Sequence, residues 1–294
     1  MPLLASIRGD VPPRSRGFRA HGSRYALRCL AAALAAAAVA SPLAGQASDP
    51  AARLKADAAL DLAGKYDAAR ADLVKLIDGI PTDTGKARAR RTLAVSYAFT
   101  CDVNDAAKVE HQVIDPAVAA HDFNTAADVD NELARILLEC GDVSHALDTY
   151  RAGHDAALQI PNLPDSGHDL WDFRWEHAQA RVAARRGQRA EATQHVAAAK
   201  AILDKGKIPD QARFFPYLTG YVALYTGDAK TAISELQQAD QKDPFILSLL
   251  AQAYEKAGDK AQAMMYYRKV LAIDAHNPPN AFAHPLALKK LGSG

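Results

Sequence analysis

The sequence predicts an all-α solenoid of about six helical hairpins, and three observations lead to it. A Gly or Cys followed five residues later by an Ala that opens an apolar run recurs six times, at Gly64/Ala69, Cys101/Ala106, Gly141/Ala146, Gly187/Ala192, Gly227/Ala232 and Gly258/Ala263. Successive anchors lie 37, 40, 46, 40 and 31 residues apart, and self-similarity at a fixed offset with a period of about 20–50 residues marks stacked repeats. On both sides of the anchors the apolar and small residues recur at three- and four-residue steps, the period of an amphipathic helix, and an isolated Gly between two such runs marks a turn. Finally, a Pro-broken tail is followed by one more apolar-periodic segment (Phe282, Leu286, Leu288, Leu291). A terminal helix of this kind covers the end of a stack that otherwise exposes apolar surface.

The chain opens with six Arg and one Asp in residues 1–28, an Ala-dominated apolar stretch from Leu30 to Ala40, and Gly45-Gln46-Ala47 beyond Pro42. A basic segment, a short apolar core and a small-residue cut site together read as a secretory signal peptide. Residues 1–47 are therefore expected to be removed, with Ala40 as the second choice of cut. The apolar run falls short of the roughly 20 residues a membrane-spanning helix needs. The chain beyond Ala47 has 29 basic and 33 acidic residues, a formal charge of −4. It has no basic tract, so it offers no footing for nucleic acid, and no further apolar run of spanning length.

The six units follow in order over residues 48–280. The first reads Leu60, Ala69, Leu73, Leu76, Pro81 around Gly64, and the second Leu93-Ala94-x-x-Tyr97 with Cys101 at the turn and Ala106 after it. The third gives Leu133-Ala134-x-x-Leu137, then Ala146 and Tyr150; Asp128-Val129-Asp130 ahead of that run reads as a helix opening. Between the third and fourth units, Ile160 to Trp175 contains two Pro, a Gly and both Trp of the chain. It reads as a loop, with a helix starting near Ser166 or Asp169. The fourth unit is looser, with Ala180, Ala192, Val196 and Ala199, and the fifth reads Gly220, Ala232, Leu236, Ala239, Pro244. The sixth is the clearest: Leu250-Ala251-x-x-Tyr254-x-x-x-Gly258-x-x-x-x-Ala263-x-x-x-Tyr267. Its two Ala suit a close helix crossing, with the Tyr residues filling the gaps on either side. His276-Asn277-Pro278-Pro279-Asn280 then breaks the chain before the terminal segment, 281–294.

These residues resemble the tetratricopeptide repeat, whose pattern runs W-x2-L-G-x2-Y, A-x3-F, P. The resemblance covers about residues 50–291, most closely at the C-terminal end. It implies a right-handed superhelix, here irregular, because most units exceed the family's 34 residues and the last is shorter. In that family the first helix of each hairpin lines a concave groove that contacts extended peptides. Carried across by offset from the turn, the resemblance implies a contact face of Asn131 and Arg135, then Arg174, His177, Arg181 and Arg185, then Phe214, Tyr217, Tyr221 and Tyr225. Steps of three and four residues place each set on one helix face. An Arg row beside an aromatic row suits a ligand with a carboxylate and an apolar or sugar-like body. Each row also has a plain alternative, the Arg row as a solvated face and the Tyr row as core packing.

Two cysteines remain beyond the leader, Cys101 and Cys140, near the turns of adjacent units. Export would place them in an oxidising compartment. They are candidates for a disulfide, the plainer alternative being two small buried residues at a close contact. No nucleophile elbow, phosphate loop or zinc motif occurs, the His residues are scattered, and Asp102-Val103-Asn104-Asp105 lacks the Gly and Glu of a calcium loop. Asp102 and Asp105 read instead as capping residues. The sequence thus predicts no enzyme, no cofactor and no metal site. It predicts an exported, periplasmic or secreted scaffold for a protein or peptide partner, with a carbohydrate- or small-ligand-binding module as the alternative and an enzyme of unrecognised type last.

Overall fold

The computed structural model describes residues 49–292; the expected leader, 1–47, and its cut site lie outside the described residues. Thirteen α-helices and no strand occur among the described residues. They pair as α1 (Pro50–Leu62) with α2 (Tyr66–Gly79), α3 (Asp83–Ala98) with α4 (Val103–Ala119), and α5 (Phe123–Glu139) with α6 (Val143–Ala157). Next come α7 (Asp165–Arg185) with α8 (Arg189–Asp204), α9 (Phe215–Tyr225) with α10 (Ala229–Gln238), and α11 (Pro244–Lys256) with α12 (Lys260–Leu271), followed by α13 (Pro278–Gly292). Each helix packs on the next along the chain, which makes a helical-repeat solenoid of six hairpins and a terminal helix.

The recurrence in the sequence has a backbone cause. All six anchors take positive φ, from +53° at Cys101 to +100° at Gly141. This left-handed conformation ends the first helix of a hairpin and suits Gly because it has no Cβ to clash. At four of the anchors the next residue is an Asp that caps the second helix: Asp102, Asp142, Asp228 and Asp259 each accept a backbone N–H three residues on. The Ala five residues after each anchor is buried at 0–1 % exposure, at the point where the two helices cross. Gly220 marks another close crossing: a Cβ there would lie 2.6 Å from Leu236.

Three elements differ from the sequence reading. Asp128 and Asp130 lie inside α5, which instead opens at Asp122, whose carboxylate accepts the Thr125 N–H after His121 turns the chain at φ +58°. The terminal helix starts at Pro278 rather than after Asn280, because Pro in a first helical turn lacks only an N–H that has no intrahelical partner there. The chain also inserts a 3-10 turn, Pro209–Phe214, before α9.

Helix α13 packs on α11 and α12, covering the end of the stack, and it also touches α3 and α5. The segment before it reaches the first hairpin, where His276 Nε2 lies 2.8 Å from the fully buried Asp61 carboxylate and its ring stacks on Phe99. Ser96 donates to the same carboxylate at 2.8 Å. Cys101 and Cys140 are joined as a disulfide with Cα atoms 5.3 Å apart, linking the ends of α3 and α5. Among the described residues no helix is long and apolar enough to cross a membrane.

Candidate functional site

The first helices α5, α7 and α9 stand side by side and form one wall of a cavity of about 530 Å³. Seven of the ten residues assigned to the contact face from sequence line it: Asn131 and Arg135 from α5, Arg174, His177 and Arg181 from α7, Phe214 from the 3-10 turn, and Tyr217 from α9. Arg185, Tyr221 and Tyr225 do not; they lie further along the same helices, in the packed layer below. The opposite wall comes from Pro278 and Pro279 of α13, and part of the rim from Gln211 and Arg213.

The floor is organised by a residue that the sequence reading passed over. The Glu139 side chain is 2 % exposed, accepts from Arg185 Nη1 at 3.0 Å, and lies 3.8 Å from Arg181 Nη1. Tyr221 donates its hydroxyl to the same carboxylate at 3.1 Å. Burial pushes the Glu139 carboxyl upward, opposed by the Arg181, Arg185 and Arg135 guanidinium groups around it. Arg181, itself 6 % exposed, also donates to the Tyr150 hydroxyl at 2.9 Å. A signal for Glu139 exists in the sequence: it follows Arg135 by four residues and so shares its helix face.

This network revises the solvated reading of the Arg row. Arg181 and, for the most part, Arg185 are structural, because a buried carboxylate needs paired, hydrogen-bonded cations around it. Tyr221 is fully buried and Tyr217 is 8 % exposed. Tyr225 packs under the Arg185 guanidinium, 4.9 Å from its ring centre. The Tyr row is therefore largely core, and only Tyr217 lines the cavity.

The remaining cations differ in how they are held. Arg174 sits at the rim, 3.3 Å from Asp128 and 4.5 Å over the Trp171 ring. Arg213 is exposed and lies over Phe214. Arg135 forms no ion pair among the described residues; its guanidinium lies 5.2 Å over the Phe245 ring, and its Nε is buried without a hydrogen-bond partner. The Tyr217 hydroxyl is likewise buried and unpartnered, and burial pushes its pKa up to about 12. Burial, with the charges of Arg181 and Arg135, holds the His177 imidazole well below its ordinary value and so neutral. Asn131 donates to the Ala127 carbonyl at 3.0 Å, which fixes its amide at the edge of the cavity.

Trp171 is 4 % exposed and packs among the alanines of α4, α5 and α6, while Trp175 stacks on His154. Both thus fasten α7 to its neighbours. Among the described residues no group of three or more His, Cys, Asp or Glu is placed to hold a metal ion.

No protein-family model matches the chain. Over 64 residues it is 44% identical to cellulose synthase operon protein C of Escherichia coli (strain K12), and equally to putative cellulose synthase operon protein C of Escherichia coli O157:H7. The matched stretch is 21% of this chain and 6% of either relative, so the chain spans only a small part of their length.

Proposed function

We propose that this chain is an exported, tetratricopeptide-like scaffold that binds a protein or peptide partner in the cell envelope through the face lined by α5, α7 and α9. The observation that carries the reading is the gathering of Asn131, Arg135, Arg174, His177, Arg181 and Tyr217, from three successive hairpins, around one cavity. Each residue comes from the first helix of its hairpin, the position that contacts peptides in the family the sequence resembles. A concave surface with a few fixed polar groups among apolar walls is suited to binding. The Cys101–Cys140 disulfide is in keeping with an oxidising compartment. The 64-residue likeness to a protein named for a cellulose synthase operon supports a scaffold reading and makes a polysaccharide-synthesis assembly one partner to try. A sugar site built on the tyrosine row has less support, because Tyr221 is fully buried.

Site-specific photo-crosslinking tests the proposal. A photoreactive residue at Gln211, on the cavity rim, should trap a discrete protein from an envelope extract. The same probe at exposed Gln194, on the second helix α8, should not. Equal trapping at both positions, or none at Gln211, would remove the groove as the binding face.

A further inference from the structure

We propose that the cavity between α5, α7 and α9 is a binding site for an organic carboxylate carried on a flat apolar body, with Arg135 and Tyr217 as its donors. This goes beyond partner capture and rests on the cavity alone: it assigns a ligand class whether or not a protein occupies the groove.

Two charges around the cavity have no ion pair among the described residues: Arg213, exposed at the rim, and Arg135, within the wall. Arg174 is taken by Asp128, Glu132 by Arg91, and Arg181 and Arg185 share Glu139. Arg135 alone among the cations of the three first helices has no carboxylate within ion-pair distance among the described residues, and its Nε has no acceptor. The Tyr217 hydroxyl, in the same wall and more than nine-tenths buried, has none either. A buried donor left unpaired is costly, and two of them lining one cavity ask for the same thing, an acceptor with two lone-pair-bearing oxygens. A carboxylate is that acceptor, and with a guanidinium it forms a charge-assisted bond.

The remaining lining selects within that class. Arg135 is the one guanidinium within the wall that is free of a carboxylate, and it matches a single negative charge; Arg213, also without an ion pair, lies exposed at the rim over Phe214. Asp128 and Glu132 in the lining oppose a second, which disfavours a phosphate dianion. His177 is neutral and supplies a hydrogen-bonding edge without adding charge. Phe173, Phe214, the Tyr217 ring, Pro278 and Pro279 give apolar walls for a planar body. The volume of about 530 Å³ is that of a small-molecule site.

The test is a titration of the full chain with benzoate, followed by calorimetry and by the His177 imidazole resonances. Benzamide serves as the neutral match, and a hexapeptide ending in Phe, as free acid and as amide, tells a free organic acid from a chain terminus. Saturable benzoate binding, at least tenfold tighter than benzamide, with a rise in the His177 pKa, is the expected result. The free-acid peptide binding more tightly than benzoate assigns the carboxylate to a chain end, and the reverse assigns it to a free acid; either result supports the site. Tyr217→Phe should weaken binding at least fivefold while leaving the melting temperature equal or higher, because it deletes a hydroxyl that bonds to nothing in the fold. Arg135→Gln should weaken binding at least tenfold, and Arg135→Lys should restore part of it. No saturable binding of either acid, benzamide equal to benzoate, or Tyr217→Phe and Arg135→Gln both binding as wild type would overturn the proposal. Benzoate binding alongside failed crosslinking at Gln211 retains this site and removes the partner reading.

Discussion

The first three hairpins and the last two hold their helices together by different means. From α9 to α13, twenty buried residues form one continuous cluster that includes Tyr217, Tyr221, Phe245, Leu249, Leu250, Tyr266 and Tyr267. From α1 to α4 the buried apolar groups are smaller and split, with Leu73, Leu93, Ala94 and Val109 in one set and Leu76, Ile80 and Ala89 in another. Buried polar groups join them there: Asp61 and Glu110 at 0 % exposure, and Asp130 of α5 at 6 %. The disulfide lies in this half too. Each of these small sets removes less apolar area from water than the continuous C-terminal cluster does, and stabilisation scales with that area. The N-terminal half therefore adds a covalent link and the hydrogen-bonded Asp61 to smaller apolar sets, the largest of them between α4 and α7, whereas the C-terminal half depends on one aromatic and leucine cluster.

The largest effect is expected from Cys140→Ala. The bond closes a loop with a sequence separation of 39, and chain-entropy arguments give a loop of that size about 4 kcal/mol. Amide exchange should then quicken in α3 to α5 while α11 and α12 stay protected; uniform quickening would break the comparison. Leu250→Ala, at a fully buried position in the C-terminal cluster, should cost about 3 kcal/mol and show the opposite pattern of exchange.

A third, smaller effect depends on pH. Glu110 is fully buried with both carboxylate oxygens unpartnered, and burial, with Glu132 nearby, raises its pKa to about 8 from an ordinary 4.5. A folded-state pKa above the unfolded one means that the stability it contributes is complete below about pH 4.5 and is lost as pH rises through about 8. Glu110→Gln should abolish that component and exceed wild type by on the order of 2 kcal/mol at pH 9. Parallel urea midpoints for the two proteins from pH 4 to 9 would contradict it. The smallest effect belongs to the turns. Gly258 at φ +85° should lose about 1 kcal/mol on replacement by Ala, measured as a lowered melting temperature, and an unchanged one would mean the turn tolerates a Cβ.

The turn recurrence was legible in the sequence because its cause is local: a left-handed residue followed at a fixed distance by an Ala at the helix crossing. The grouping of Arg135, Arg174, His177, Arg181 and Tyr217 was legible through the offset from each turn that the repeat resemblance implies, with steps of three and four aligning the residues within α7. Their depth was not. The step that aligns Tyr217, Tyr221 and Tyr225 describes an inward row as well as a groove row. Only the neighbouring α5, with Glu139 directed at Arg181, Arg185 and Tyr221, decides between them. The reach of α13 to α3 and α5, and the pairing of His276 with Asp61 across 215 residues, depend on the curvature of the whole stack. No local pattern encodes that. The turn Pro209–Phe214, which supplies Gln211 and Arg213 to the rim, likewise has no counterpart in the repeat pattern.

The cavity face spans the seam between the two regimes, with α5 from the polar half and α9 from the aromatic one, and binding there is the central claim. Because Arg181 and Arg185 hold the buried Glu139, reversing them would test folding rather than binding. Arg174 and Arg213 are the better targets: Arg174 is 39% exposed at the rim, and Arg213 lies exposed over Phe214. The double variant Arg174→Glu, Arg213→Glu should keep wild-type helicity by circular dichroism and lose most of the partner capture seen with the unaltered chain from an envelope extract. Full capture with full helicity would contradict the account.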